Sequence, residues 1–189
     1  MNSILDSPTI RARVSPTTVE EYHRQPERNA NGRRTELIRG IVIEKMSKSA
    51  LHETLATRLY LHIVAHLPDG FSAWKDRPLT FVDSEPEPDV SVTLGTWSDF
   101  KTRHASTAEL VLEVGVSSVG DDRELASLYA EANVAEYWIV VAASRSIEAY
   151  RRPEGGRYCE MRVYGEGEIL AAAKVPELRV VIAELFAGL

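Results

Sequence analysis

Two acidic residues of this sequence stand in segments that otherwise favour buried β-strands. Asp89 follows Pro88 at the start of "DVSVTL", and Glu113 interrupts the aliphatic run "LVLEV". A carboxylate in such a strand costs several kcal/mol unless a cation or hydrogen-bond donors compensate it. The connection between the segments is long enough for neighbouring strands of one sheet, with both carboxylates on one side. Magnesium suits such a pair because it prefers oxygen ligands and usually takes only one or two protein carboxylates.

Helical periodicity on either side of this pair predicts elements that would hold it. After Ser49, apolar residues recur at every fourth position until Pro68, which predicts a long amphipathic helix. The run "DRELASLYAEAN" predicts a second helix that stops at Asn133, a residue that tolerates the left-handed conformation. A short helix in "SPTTVEEYHRQ" is predicted to end near Pro26. The apolar face of the long helix consists of Leu51, Leu55, Leu59, Ile63 and Leu67.

The remaining segments predict strands. The run "ELIRGIVIEKM", punctuated by Gly40, predicts a hairpin or a bent strand, and "EYWIVVAA" is typical of a strand buried on both faces. A chain of short antiparallel strands is predicted in "SIEAYRRPEGGRYCEMRVYGEGEIL", and "VPELRVVIAELF" predicts a last strand or short turn. This order of elements indicates an α/β fold, with a mixed central sheet flanked by helices and additional antiparallel hairpins.

Composition limits the classes of function. The net charge of −6 argues against a broad basic surface for nucleic acid, although a local basic groove stays open. The densest basic segment, "RNANGRR", is then the best candidate for phosphate contact. Cys159, the only cysteine, excludes an internal disulfide and has no zinc or redox motif around it.

Length and hydropathy predict the domain organisation. The 189 residues suit one domain, which we place at residues 17–189, after a flexible N-terminal arm of residues 1–16. No run approaches the roughly 20 apolar residues that cross a bilayer, and no leader pattern opens the sequence, so we expect a cytoplasmic protein without membrane association.

The acidic segments also carry a family resemblance. The motifs "PEPDV", "LVLEVGVSS" and "LYAEANVAEYWIV", with "TELIRG" and "MSKSALHETLA" before them and "YRRPEGGRY" and "ELF" after them, resemble the Uma-type family of restriction-endonuclease-like proteins. This family is a branch of the PD-(D/E)xK nuclease fold, and the resemblance covers most of the chain after the arm. It implies a restriction-endonuclease-like fold, cleavage of nucleic acid, most simply DNA, with Mg²⁺ or Mn²⁺, and a homodimer.

The resemblance also implies roles for particular residues. Asp89 and Glu113 match the family's catalytic acids and metal ligands, and the Val114 carbonyl would join them on the cation. Glu36 matches an acidic residue that would hold a metal-bound water or act as a base. His52 matches the histidine at the start of the long helix, near the site or a phosphate. Arg123 would contribute positive charge to substrate binding.

This chain departs from the family at the lysine that normally orients the attacking water. Gly115 stands where the simplest pattern has that lysine. Where the family carries it on the next helix, "DDRELASLYA" offers only Leu125 or a gap. Two functions therefore remain: a metal-dependent nuclease with an unusual or missing lysine, or a nuclease-fold protein that has lost catalysis and acts as a binding or assembly module.

Structural explanations also remain open for several of these residues. Asp89 could simply satisfy backbone N–H groups at a turn or strand start, and Glu113 could pair with an arginine. Glu36 could only begin a strand, and His52 could only cap a helix. The tryptophans, Trp74, Trp97 and Trp138, are interpreted as core or interface anchors rather than as platforms for stacked bases, because no basic residues interleave with them regularly.

Overall fold

The computed structural model describes residues 7–11, 13–24 and 34–189, which form two compact units. The first comprises Met1–Met46 with Val82–Pro86, and the second comprises Ser47–Phe81 with Glu87–Leu189. Part of the predicted arm and all of "RNANGRR" except Arg34 lie outside the described residues. The division into an arm of residues 1–16 and a single domain of residues 17–189 stays a prediction.

The first unit contains two short helices and one β-hairpin. Helix α1 spans Pro8–Arg11 and α2 spans Val19–Arg24, while β1 (Thr35–Ile38) pairs antiparallel with β2 (Ile41–Glu44). The turn residues Arg39 and Gly40 both have positive φ, 49° and 72°, as a two-residue hairpin turn requires. A Cβ on Gly40 would lie 2.4 Å from the Pro16 Cβ, so only glycine fits. The predicted hairpin and short helix are confirmed.

The second unit is built on a six-stranded sheet. Its strands lie in chain order: β3 (Phe71–Lys75), β4 (Val90–Leu94), β5 (Leu110–Gly115), β6 (Glu136–Val141), β7 (Ser146–Glu154) and β8 (Arg157–Tyr164). Strands β5 and β6 run parallel, and the other neighbours run antiparallel. The crossover between the parallel strands is helix α4 (Val119–Glu131). This architecture confirms the predicted mixed sheet.

Long helix α3 (Ala50–His66) and helix α4 supply the two hydrophobic cores. Leu55, Leu59 and Ile63 of α3 pack against one cluster of sheet residues, whereas Tyr129 of α4 belongs to the other cluster. The apolar stripe of α3 starts one turn later than predicted, because Leu51 is 38% exposed. Ser49 caps α3 by accepting the backbone N–H of His52, and Asn133 follows α4 with φ 55°, as its position predicted.

A smaller layer completes the second unit. Strands β9 (Ile169–Ala171) and β10 (Arg179–Val181) pair antiparallel, and β10 continues directly into α5 (Ile182–Leu185). Trp74 and Trp138 are buried as predicted, but Trp97 is 63% exposed and is not a core residue. It lies in a 3₁₀ turn, Trp97–Phe100, after β4. Within the described ranges, no helix has both the length and the apolar character to span a membrane.

Candidate active site

The pairing of β4 with β5 brings Asp89 and Glu113 together. Val90 lies opposite Leu112, so one further step of the register places Asp89 opposite Glu113. The backbone N–H of Asp89 donates to Glu113 Oε2 at 3.2 Å, and the backbone N–H of Val114 donates to Asp89 Oδ2 at 2.8 Å. These reciprocal hydrogen bonds fix both acids at one end of the two strands.

Two basic side chains from the start of α3 contact Asp89. The Lys48 Nζ lies 2.7 Å from Asp89 Oδ1, and the His52 Nε2 lies 2.9 Å from Oδ2. Lys48 also forms an ion pair with Asp76, just after β3, so its ammonium bridges two carboxylates. Because Ser49 caps α3 between the two basic residues, the helix start sets both of their positions. His52 thus lies at the site as predicted, whereas Lys48 was not predicted.

The electrostatics of this group keep Asp89 and Lys48 ionised. Burial of Asp89, which is 3% exposed, would raise its pKa, but the His52 hydrogen bond and the Lys48 charge lower that pKa to about 2. Burial of Lys48 would lower its pKa, but Asp89 and Asp76 outweigh it and the Lys48 pKa is raised. Lys48 is therefore a permanent cation that can donate hydrogen bonds but cannot accept a proton at neutral pH.

The hydrogen bonds of Glu113 explain how the fold accommodates a carboxylate in an aliphatic strand. Its Oε1 accepts the Tyr129 hydroxyl at 2.9 Å, while its Oε2 accepts the Asp89 amide. The side chain is only partly buried, at the end of β5, so it keeps some contact with solvent. Neutral donors from α4 and from the neighbouring strand thus help to compensate the charge of Glu113.

Asp122 is a third carboxyl group of this region, and sequence reasoning did not single it out. It lies in the first turn of α4, is 9% exposed and accepts the Ser118 hydroxyl at 3.1 Å. Burial, opposed by Ser118 and reinforced by the negative charge of Asp89, raises the pKa of Asp122 to about 6. A strongly shifted carboxyl pKa is typical of groups that exchange protons. The only sequence signal was the acidic pair "DD" just after the Glu113 strand.

The structure gives a steric reason for the absent lysine. A Cβ on Gly115 would lie 2.4 Å from Val119 Cγ2 and 2.9 Å from Asp122 Oδ2, so no side chain fits where β5 meets α4. On the helix itself, Leu125 packs against the aromatic core cluster. Both of the expected lysine positions are therefore occupied by packing, and the ammonium group at Asp89 comes from Lys48. Its sequence signal was its place four residues before His52 in "KSALH".

Two other predicted residues have different surroundings. The Arg123 guanidinium holds Glu148 of β7 through two hydrogen bonds, one of them 3.1 Å long from Nε. Glu36 belongs to β1 of the first unit, where the Lys45 Nζ lies 3.5 Å from its carboxylate. The roles of Arg123 and Glu36 at the site stay predictions.

The donor set can be compared with the needs of a cation. Among the residues that the structure describes, no group of three or more His, Cys, Asp and Glu side chains could hold a metal ion. Magnesium requires less, because one or two carboxylates, completed by water and phosphate, are its usual protein ligands. Asp89 and Glu113 supply two carboxylates at one end of the sheet, and Lys48 already lies on one oxygen of Asp89. In donor chemistry the pair fits a hard divalent cation.

The sequence of this chain is similar to that of a known protein family. Residues 19–183 match the sequence model of the Uma2 family, which is described as putative restriction endonuclease. The chain belongs to this family. The family resemblance inferred from the sequence motifs is therefore confirmed. No protein with a curated description matches the chain.

A solved structure shows the same fold. It is described as a putative nuclease belonging to DUF820 from Anabaena variabilis, and its identity to this chain is 19%. The two superpose with a TM-score of 0.76, over 91% of this chain and 98% of that protein. At this identity the similarity shows the fold alone, and it confirms the predicted nuclease-like fold of the Uma2 family member described here.

Proposed function

We propose that this protein hydrolyses phosphodiester bonds of nucleic acid, most simply DNA, with the help of Mg²⁺ or Mn²⁺. The observation that carries the proposal is the hydrogen-bonded pair Asp89 and Glu113 with the Lys48 ammonium on Asp89. Asp89 and Glu113 would hold the cation, together with the carbonyl oxygen of Val114. When bound, the cation would polarise the scissile phosphate and make a water more acidic.

Lys48 is the group that we assign to the phosphate. An ammonium has three hydrogens to donate, and Asp76 and Asp89 accept from two directions. The remaining hydrogen can be donated to a phosphate oxygen, where it offsets charge that develops in the transition state. Lys48 would thus perform the task of the family lysine from a different element of the fold.

Asp122 is the group that we assign to proton transfer. With a pKa of about 6 it is mostly ionised at neutral pH, yet it retains more affinity for a proton than an ordinary aspartate. It is close enough to Asp89 for their charges to interact. Asp122 would accept the proton of the attacking water. His52, whose Nε2 contacts Asp89, would hold that carboxylate in position.

A second candidate function follows from the same contacts. Both oxygens of Asp89 already have donors from the protein, namely Lys48 on Oδ1 and His52 with the Val114 amide on Oδ2. A carboxylate satisfied in this way has little need of a metal ion. This observation favours a nuclease-fold protein without catalysis that serves as a binding or assembly module.

A cleavage assay separates the two functions. The purified protein is incubated with single-stranded, duplex and branched DNA in Mg²⁺ or Mn²⁺, and Asp89→Ala is the matched control. We expect cleavage of at least one substrate by the wild-type protein and none by the variant. Activity equal to that of the variant on every substrate would leave only the binding module.

The cation is tested apart from activity. Calorimetric titration with Mn²⁺ should give a binding isotherm that Glu113→Ala loses, because only one carboxylate would remain. An unchanged isotherm in Glu113→Ala would show that the ion binds elsewhere.

The homodimer implied by the family resemblance is a separate proposal, which light scattering on the protein as it elutes from a size-exclusion column would test.

A further inference from the structure

The turn after β4 carries an exposed tryptophan on a fixed aromatic base. Trp97 is 63% exposed, and its ring centroid lies 4.5 Å from that of Trp74, which is 5% exposed. Phe100 meets Trp74 edge to face at 5.7 Å and anchors the turn from below. An indole that is held in place but left in water is a feature of binding surfaces more than of cores.

Cationic side chains lie close to the aromatic rings of Trp74 and Phe100. The Arg77 guanidinium lies 3.9 Å from the Trp74 ring centroid, and that of Arg103 lies 6.0 Å from the Phe100 ring. Lys101 and Arg103 are both exposed. We call Trp74, Arg77, Trp97, Lys101 and Arg103 the aromatic–basic turn. It is locally positive although the chain as a whole carries a net charge of −6.

The acid in this turn, Asp99, offsets part of that charge. Asp99 accepts the backbone N–H and the hydroxyl of Thr96 through its Oδ2, at 2.7 and 2.9 Å. These bonds form the cap of the 3₁₀ turn and direct the carboxylate back to the backbone. The charge of Asp99 acts on Arg103, and Arg77 and Lys101 leave the turn with an excess of positive charge.

Trp74, at the base of the aromatic–basic turn, lies on the same side of the sheet as Asp89. The indole N–H of Trp74 donates to Thr93 Oγ1 at 2.8 Å, and alternation along β4 puts Asp89 on the same face as Thr93. Asp89 and Thr93 are four residues apart along the strand, which corresponds to about 13 Å. In the chain, Arg77 directly follows Asp76, which shares the Lys48 ammonium with Asp89.

We propose that the aromatic–basic turn binds single-stranded nucleic acid, with a base stacked on Trp97 and phosphates paired with Lys101 and Arg103. Stacking requires an exposed base face, which a continuous duplex does not offer, and aromatic residues in a basic groove are the usual platform for unpaired strands. This inference rests on the proposed function, since it names the form of nucleic acid that would reach Asp89.

The charges favour nucleic acid over a second copy of this chain. If two copies docked symmetrically through this turn, the same patch would face itself. Lys101 and Arg103 of one copy would then approach those of the other, whereas a phosphate backbone complements them. A second copy is therefore kept as an outcome that the experiment must distinguish.

Binding is measured by fluorescence anisotropy of a labelled oligothymidylate of roughly 12 nucleotides, within the span of a single-strand site. The cleavage-blocked Asp89→Ala protein is used without divalent cations. Trp97→Ala should weaken binding about tenfold, the range for losing one stacked base, and Trp97→Phe should retain most of it. Met161→Ala, an exposed apolar residue of β8, is the matched control and should bind as the parent does.

The phosphate contacts have their own readout. Replacing both Lys101 and Arg103 by glutamine should reduce the slope of log affinity against log salt by about 1.4, since each contact with a single strand contributes about 0.7. Unchanged binding in Trp97→Ala, or an unchanged slope in the double variant, would overturn the proposal.

The remaining outcomes separate this inference from the proposed function. Trp97-dependent binding in a protein that cleaves nothing would keep the inference and remove the nuclease. Cleavage that does not depend on Trp97 would do the reverse. If sedimentation showed that Trp97→Ala dissociates a dimer while oligothymidylate binding stays unchanged, the occupant would be a second copy and the inference would be wrong.

Discussion

Two buried carboxylates of the same sheet, Glu136 and Asp89, are compensated in different ways. Glu136, at the start of β6, is fully buried, and its Oε1 accepts hydrogen bonds from the side chains of Arg151 and Trp138. Its Oε2 accepts the Ala173 amide at 2.7 Å. One anion therefore meets one guanidinium and two neutral donors, and nothing in this group is left to exchange a proton or bind a ligand.

Asp89 belongs to a group in which acids exceed bases. The ammonium groups of Lys48 and Lys75 are shared by three carboxylates, those of Glu53, Asp76 and Asp89. A fourth carboxyl group, that of Asp122, interacts with the charge of Asp89 and has a pKa raised to about 6. An ion pair with satisfied hydrogen bonds, such as Glu136 with Arg151, stabilises the fold. An excess of acid with a shifted pKa is costly to the fold and is the kind of arrangement that chemistry requires.

Removal of the Asp89 charge should have the largest effect on activity. Asp89→Asn removes the charge of one of the two proposed carboxylate ligands, and we expect cleavage to fall about a thousandfold, the upper range for losing one preorganised interaction. Stability should also fall, because the contacts that lower the pKa of Asp89 stabilise its ionised form in the fold, but Lys48 keeps Asp76 as its partner. Single-turnover cleavage and urea denaturation measure the two quantities. If Asp89→Asn lost most of its stability but cleaved normally per folded molecule, Asp89 would serve stability rather than activity, which is the role expected of Glu136.

The matching change at Glu136 should act on stability. Glu136→Gln leaves the Arg151 guanidinium, only a quarter exposed, without its anion, and such a loss costs about 3 kcal/mol in the free energy of unfolding. Cleavage per folded molecule should stay unchanged. Urea denaturation followed by far-ultraviolet circular dichroism gives the free energy. A loss of cleavage at full stability would mean that Glu136 also contributes to the site.

Substitution of Lys48 tests the charge excess directly. Lys48→Met removes the cation 2.7 Å from Asp89 and leaves a side chain of similar length. We expect the affinity for Mn²⁺ to rise about tenfold, because a like charge no longer opposes the ion. Cleavage should fall, because the phosphate loses its donor.

Lys48→Arg is the control for this change, since it keeps the positive charge and should leave Mn²⁺ affinity near the wild-type value. Calorimetric titration reports the metal and gel assays report the cleavage. If Lys48→Met weakened both metal binding and cleavage, Lys48 would be a structural support for Asp89 and the assignment to the phosphate would be wrong.

Much of this fold could be predicted from local patterns. The period of four from Ser49 predicted α3, and Asn133 marked the stop of α4, because both depend on residues close in sequence. Asp89 and Glu113 could be paired because their segments are successive strands. The same reasoning placed Leu51 in the core, but its side chain is 38% exposed, and such exposure depends on tertiary packing.

The basic partners of the site could not be predicted in the same way. Lys48 precedes α3, and only the packing of that helix on the sheet brings Lys48 to Asp89 at the start of β4. The search for a lysine near Glu113 in sequence failed because Gly115 and Leu125 are held by contacts that periodicity does not reveal. Likewise, composition does not reveal that Trp97 is exposed whereas Trp74, whose ring contacts that of Trp97, is buried.

The smallest predicted effect concerns the proton on Asp122. Its pKa rises from 3.8 in the unfolded reference to about 6 in the fold, so the folded state holds this proton more tightly. The resulting stability is complete below the unfolded pKa and is lost as pH rises through the folded one. Asp122→Asn cannot ionise. It should therefore gain on the wild type by on the order of 1 kcal/mol in unfolding free energy between about pH 5 and about pH 8.

Urea denaturation of both proteins at the two pH values measures this difference, and the surroundings of Asp122 supply the control. The charges that act on it are Asp89, Asp121 and His52, with Ser118 as the hydrogen-bond donor. Asp121→Asn changes the exposed neighbour in the same helical turn and should keep nearly the wild-type pH dependence. A pH dependence that survives in Asp122→Asn but disappears in Asp121→Asn would place the shifted proton outside Asp122, and the group at Asp89 would then lack the proton acceptor that distinguishes it from Glu136 and Arg151.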